Sequence, residues 1–221
     1  MNSLTAVDRI AQSAFMAGMR GHFPPATAIE IAHVLIEHGR INVFELTLNS
    51  ANAIESMQSI KQAYGDNAVV GMGTVLDIES AKRVLDAGAD FIVSPAFSRS
   101  VVDYVVNQDV LMAPGVITPT EAVDAWQMGV KLIKIFPIGT LGIDYFKAVR
   151  GPLDHIKFLA NGGMNDSNAI DFLKAGAVAC GMANWLTGDG HMALDLIARR
   201  AKILRDSLDA LRAGQRERTT V

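Results

Sequence analysis

Short apolar runs alternate with helix-length amphipathic segments along the whole chain. The runs Phe15–Met19, Val43–Leu48, Ala68–Met72, Phe91–Ser94, Val110–Ala113, Lys131–Phe136, Lys157–Ala160 and Ala177–Met182 read as strands. Most of them end at Gly, Pro, Asn or Thr, as strands do. Between them Pro25–His38, Ala51–Tyr64, Ile78–Ala87, Pro119–Met128 and Asp166–Ala175 read as helices. Strands joined through helices must lie parallel, so the class is α/β. Two closures remain, an open doubly wound sheet and a (β/α)8 barrel of the TIM type. The 221 residues fit one small barrel domain spanning 1–221. A weak repeat favours the barrel. His38-Gly39-Arg40, Ala87-Gly88-Ala89, Met128-Gly129-Val130 and Ala175-Gly176-Ala177 each place a glycine between a helix and the next strand. A left-handed glycine ends a helix there. Thr118-Pro119-Thr120-Glu121 reads as a capping box with proline at the first helical position. A last helix follows Gly190 to about Leu211, and the polar tail Ala213–Val221 is expected to fray.

Composition narrows the partners. Half of the residues are hydrophobic and 19% are charged, enough to bury a large core. A net charge of −3 and a pI near 5.9 disfavour nucleic acid and anionic membranes, which need a basic surface. An anionic ligand must therefore be held by local groups. The single cysteine, Cys180, has no partner for an internal disulfide and fits a reducing compartment. No secretory leader is visible and no apolar run has membrane-spanning length, so the expected location is cytoplasmic. The histidines show no metal-ligand spacing, and neither a nucleophile elbow nor a dinucleotide glycine fingerprint is present. No metal and no cofactor are expected. Trp126 and Trp185 read as core or interface residues.

Strand parity singles out two charged residues. In the second strand Phe44, Leu46 and Leu48 share one face, while Glu45, Thr47 and Asn49 share the other. The apolar set meets the helices, which turns Glu45 into the barrel. A carboxylate there is costly unless it is paired, hydrogen-bonded or used. In the sixth strand Ile133 and Ile135 face the helices, and Leu132, Lys134 and Phe136 face inward. Lys134 then sits toward the C-terminal end, where barrel active sites lie. Apolar surroundings disfavour the ammonium and leave a nucleophilic amine. On parity alone, Lys134 is either that nucleophile or the structural ion-pair partner of Glu45. Lys131, Lys147 and Lys157 fall at less favourable places. Asn161-Gly162-Gly163 and Gly181-Met182-Ala183-Asn184 follow the seventh and eighth strands, the usual phosphate position of barrels.

Read together, these residues resemble the 2-keto-3-deoxy-6-phosphogluconate/4-hydroxy-2-oxoglutarate aldolase family. The resemblance runs from about Phe15 to Gly188. It rests on Arg20-Gly21, Phe44-Glu45-Leu46-Thr47-Leu48, Gly71-Met72-Gly73-Thr74-Val75, Ser94-Pro95, Pro114 to Glu121, Leu132-Ile133-Lys134-Ile135-Phe136-Pro137 and Gly162-Gly163. It implies a (β/α)8 barrel, a homotrimer, and a Schiff base between Lys134 and a pyruvate-like 2-keto acid. Glu45 is implied as the general acid and base, and Thr74 and Pro95 as part of the pyruvate pocket. Phe136 is implied as a wall beside the lysine, Arg20 as an anchor near the substrate's carboxylate or hydroxyls, and Gly162 and Gly163 as phosphate-loop glycines. The stereochemistry accepted at C4 is expected to depend on loop geometry near Thr74, Thr118 and Asn161. Asn49 stands where the phosphogluconate branch carries arginine, and Leu48-Asn49-Ser50 and Ala63-Tyr64-Gly65-Asp66 are similar to the 2-keto-3-deoxy-6-phosphogalactonate branch. Asn184 replaces the phosphate-loop serine, and Asn161 a threonine or small apolar residue.

The implied reaction cleaves a 2-keto-3-deoxy-6-phospho sugar acid to pyruvate and glyceraldehyde 3-phosphate. A second reading drops the phosphate, giving 4-hydroxy-2-oxoglutarate cleavage or oxaloacetate decarboxylation. A phosphosugar sensor and an isomerase using Lys134 as an electrostatic clamp are the remaining alternatives.

Overall fold

A computed structural model of the chain describes the backbone of residues 1–219 and the side chains of residues 1–216. The strands are β1 (Phe15–Met19), β2 (Val43–Thr47), β3 (Val69–Gly73), β4 (Phe91–Val93), β5 (Leu111–Ala113), β6 (Gly115–Val116), β7 (Ile133–Ile135), β8 (Phe158–Asn161) and β9 (Ala179–Met182). They form one sheet, ordered β5-β4-β3-β2-β1-β9-β8-β7-β6, and every pairing is parallel. The two outermost strands of that order, β5 and β6, are halves of one strand interrupted at Pro114. Leu111–Ala113 pair with β4, and Gly115–Val116 pair with β7. The sheet therefore closes through the covalent chain, and the expected eight-unit barrel is the fold.

The helices are α1 (Ser3–Ser13), α2 (Pro25–Gly39), α3 (Ala53–Tyr64), α4 (Ile78–Asp86), α5 (Arg99–Val106), α6 (Pro119–Gln127), α7 (Ile138–Arg150), α8 (Ala169–Lys174) and α9 (Leu194–Thr219). The strand parity read from the sequence holds. Phe44, Leu46, Ile133 and Ile135 belong to the core between strands and helices. Val43, Val69, Phe91, Leu132, Leu159 and Ala179 pack inside the barrel.

The helix α1 was not legible as an element. Its Ala6, Val7 and Ile10 join the interior cluster and plug the barrel's N-terminal end. The Asn2 side chain caps it by accepting from the Thr5 N–H at 2.9 Å. A second correction concerns Gly39. Gly88, Gly129 and Gly176 do take positive φ after their helices, but at the end of α2 the left-handed residue is Arg40. Gly39 serves close packing instead, since a Cβ there would lie 2.9 Å from that of Ala201 on α9. α9 runs through the start of the expected tail at Ala213 and continues to Thr219. Ion pairs one turn apart, Arg199–Asp195, Lys202–Asp206 and Arg205–Asp209, line its surface. Arg212 ties the helix to α1 by donating to the Gln12 carbonyl at 2.7 Å. The final two residues of the expected frayed tail lie outside the described residues.

Candidate active site

The C-terminal end of the barrel is hollow, and glycine makes it so. Gly18, Gly71, Gly73, Gly115 and Gly181 lie at inward parity on β1, β3, β6 and β9. Glu45 is in register with Gly18 on one side and Gly71 on the other, and Lys134 is in register with Gly115. A methyl group on Gly73 would overlap the Glu45 carboxylate, and one on Gly181 would overlap the Asn161 amide. The missing side chains leave a cavity of about 310 Å3.

Glu45 and Lys134 both line this cavity. Their exposures are 5% and 7%, so both are withdrawn from bulk water. Neither belongs to an ion pair within 4.0 Å among the described residues. The structural alternative for Lys134, a salt bridge to Glu45, is therefore not what the geometry shows. The lysine Nζ lies 4.9 Å from the centre of the Phe136 ring, and its backbone N–H donates to the Pro114 carbonyl at 3.0 Å. Lys131, Lys147 and Lys157 are exposed and outside the cavity.

Arg20, Thr74, Pro95, Phe136, Asn161, Gly162, Gly163 and Asn184 also line the cavity. Arg20 follows β1 and donates to the Asn184 Oδ1 at 3.4 Å, bridging the loops after β1 and β9. Its loop is moored to β2, since the Gly21 N–H donates to the Ser50 Oγ at 2.9 Å and that oxygen lies 2.8 Å from the Thr47 Oγ1. Thr74 takes a positive φ of 48° where β3 turns away from the barrel. The N–H groups of Gly162, Gly163, Asn184 and Trp185 meet no acceptor among the described residues. Four unspent donors on two adjacent loops form an electropositive rim.

Two expected site residues are not brought in. Asn49 is exposed and outside the cavity, because β2 ends at Thr47 and the chain turns, which breaks the parity carrying Asn49 inward. Thr118 is spent on structure. It caps α6, accepting from the Glu121 N–H at 3.3 Å while the Glu121 carboxylate accepts from the Thr118 N–H at 2.8 Å. Thr118→Ala should therefore lower unfolding stability by about 1 kcal/mol and leave kcat/KM unchanged. A selective loss of kcat/KM at normal stability would return Thr118 to the site.

Conversely, Thr47 and Trp185 line the cavity without having been assigned to it. Thr47 was legible by parity. Trp185 was not, because its place depends on the turn after β9. Cys180 faces the helix side and is fully buried, which pushes its thiol up and away from reactive thiolate chemistry. Among the described residues no three His, Cys, Asp or Glu side chains gather to hold a metal ion, and no helix is long and apolar enough to cross a membrane.

A buried lysine and a buried carboxylate, unpaired and facing one chamber, can do covalent carbonyl chemistry. The family model described as KDPG and KHG aldolase matches residues 24–199. The chain belongs to the KDPG and KHG aldolase family. Over 164 residues this aldolase is 34% identical to 2-dehydro-3-deoxy-6-phosphogalactonate aldolase of Escherichia coli K12, covering 73% of this chain and 80% of that protein. The native KDPGal structure superposes with a TM-score of 0.83 at 29% identity, covering 89% of this chain and 94% of that one. The KDPG aldolase of Legionella pneumophila, solved with pyruvate captured at low pH as a covalent carbinolamine intermediate, gives a TM-score of 0.79 at 25% identity. The match covers 90% of this aldolase and 98% of that chain.

Proposed function

We propose that this aldolase cleaves a 2-keto-3-deoxy-6-phospho sugar acid to pyruvate and glyceraldehyde 3-phosphate, through a Schiff base on Lys134. The observation carrying the reading is the unpaired Lys134 and Glu45 converging on one glycine-lined chamber. The capture of pyruvate as a carbinolamine in the Legionella relative supports it. The neutral amine adds to the substrate ketone, and loss of water leaves an iminium. The C3–C4 electron pair flows into that iminium as the C4 hydroxyl gives up its proton, and the aldehyde departs. The resulting enamine is protonated at C3, and water returns free Lys134 and pyruvate. The iminium is the electron sink, so the bond cleavage requires no Lewis acid.

Glu45 moves these protons, directly or through one water. Thr74, Pro95 and Phe136 wall the pyruvate half. Asn161, inward on β8, reads a substrate hydroxyl near C4. The far end is held by Arg20, Asn184 and the free N–H groups after β8 and β9, donors suited to a phosphate. Asn49 and Thr118 have no part in this reading.

The test is kcat/KM on phosphorylated and non-phosphorylated 2-keto acids, with the gluconate and galactonate epimers side by side. Preference for a phosphorylated epimer is expected. A preference for 4-hydroxy-2-oxoglutarate or oxaloacetate would overturn the phosphate assignment while leaving the lysine chemistry intact. The same reading takes the working assembly as a homotrimer, on the strength of the family resemblance, in the reducing cytoplasm that the lone Cys180 fits. A solution mass of one or two chains would oppose the trimer.

A further inference from the structure

We propose that Arg200, on α9 and outside the cavity, is a positioning residue for the anionic end of the substrate, acting through Trp185. The inference rests on the phosphate assignment above.

The turn after β9 carries Asn184 and Trp185, two residues whose N–H groups are unspent. Several bonds hold the far part of that turn. Leu186 and Thr187 donate to the Ala183 carbonyl at 2.8 Å, and the Thr187 hydroxyl donates to the Gly18 carbonyl at 2.6 Å. Trp185 itself is held differently. The Arg200 guanidinium donates to its carbonyl oxygen and lies 5.0 Å from the centre of its indole ring. The same nitrogen reaches the Met192 sulfur at 3.2 Å. One planar cation thus holds both the peptide plane after Trp185 and the indole ring of this cavity-lining residue.

Arg200 is not part of the surface charge pattern of its helix. Arg199, Lys202 and Arg205 each meet an aspartate one turn away, whereas Arg200 meets no carboxylate among the described residues. A half-buried guanidinium without a counter-ion leaves net positive charge directly behind the wall that carries the free N–H groups. Geometry and charge therefore both favour an anion on the other side of Trp185. Loss of the clamp should release the Trp185 ring and loosen the 185–186 peptide that follows the two free N–H groups, and so weaken anion binding. It should not affect carbonyl chemistry at Lys134, which stands on β7, with β8 between it and β9.

The experiment compares Arg200→Met and Arg200→Lys with the parent. Arg200→Met should raise KM for the phosphorylated substrate about tenfold and change saturated kcat by less than about twofold. The rate of borohydride trapping with pyruvate alone should stay at the parent value. Inorganic phosphate should compete with substrate in the parent and lose that competition in Arg200→Met. Arg200→Lys keeps the charge and should recover part of the KM loss. It is also the variant to read if Arg200→Met melts early. An unchanged KM and unchanged phosphate competition in a variant of normal Tm would overturn the inference. So would an equal loss of pyruvate trapping, which marks a general structural role. If the parent itself neither prefers phosphorylated substrate nor feels phosphate, the functional reading fails at its far end, and Arg200 falls with it.

Discussion

Lys134→Ala is expected to abolish retro-aldol turnover and to leave no adduct after borohydride reduction in the presence of pyruvate. The amine is the covalent partner in every step, so its removal should cost about 10⁴-fold or more in kcat. Stability should hardly suffer. Lys134 is buried but has no carboxylate partner within 4.0 Å, so its loss strands no opposite charge. That combination separates the nucleophile from a structural cation, whose removal would lower Tm along with activity. The parent provides the positive control. Reduction should label Lys134 alone, because Lys131, Lys147 and Lys157 lie outside the cavity. An adduct on one of those, or an active alanine variant, would end the proposed mechanism.

Glu45→Gln is expected to slow turnover by about 10²–10⁴-fold while keeping the fold. Glutamine has the shape of the carboxylate, and the room it needs is supplied by the bare Cα of Gly73. The change therefore removes a proton acceptor with little change in volume. Pyruvate should still reach Lys134, so borohydride should trap the same adduct at a lower rate. Exchange of the pyruvate methyl protons with solvent deuterium should slow in parallel, since that exchange runs through the enamine. A Glu45→Gln enzyme that exchanges and cleaves at parent rates would remove Glu45 from the proton path.

What the sequence disclosed depended on regular geometry. Alternation gave the barrel, and parity turned Glu45 and Lys134 inward, because both rules hold wherever a strand is intact. They failed where a strand stops. Asn49 lies two residues beyond the end of β2 and faces outward. The parity argument carried it past a turn whose position depends on the Thr47–Ser50 contact. Thr118 was read both as a cap and as a site residue, and one hydroxyl already engaged by Glu121 serves the first. Trp185 was read as a core or interface residue, because its place at the cavity depends on the turn after β9, a turn that Arg200 contacts from fifteen residues later in the chain. The plug α1 was equally hidden. Its apolar residues are few, and their value is apparent only once a barrel floor exists to receive them.

The row of inward glycines divides the molecule into a filled base and an empty cup. Below, large side chains supply cohesion. Above, side chains that would have added cohesion were left out so that two charged groups and a ligand could fit. Substitutions in the base should register mainly as melting temperature, and those in the cup mainly as turnover or selectivity. The two ends are thus separately adjustable. The cup can be reshaped for a different keto acid without touching the packing that keeps the barrel closed.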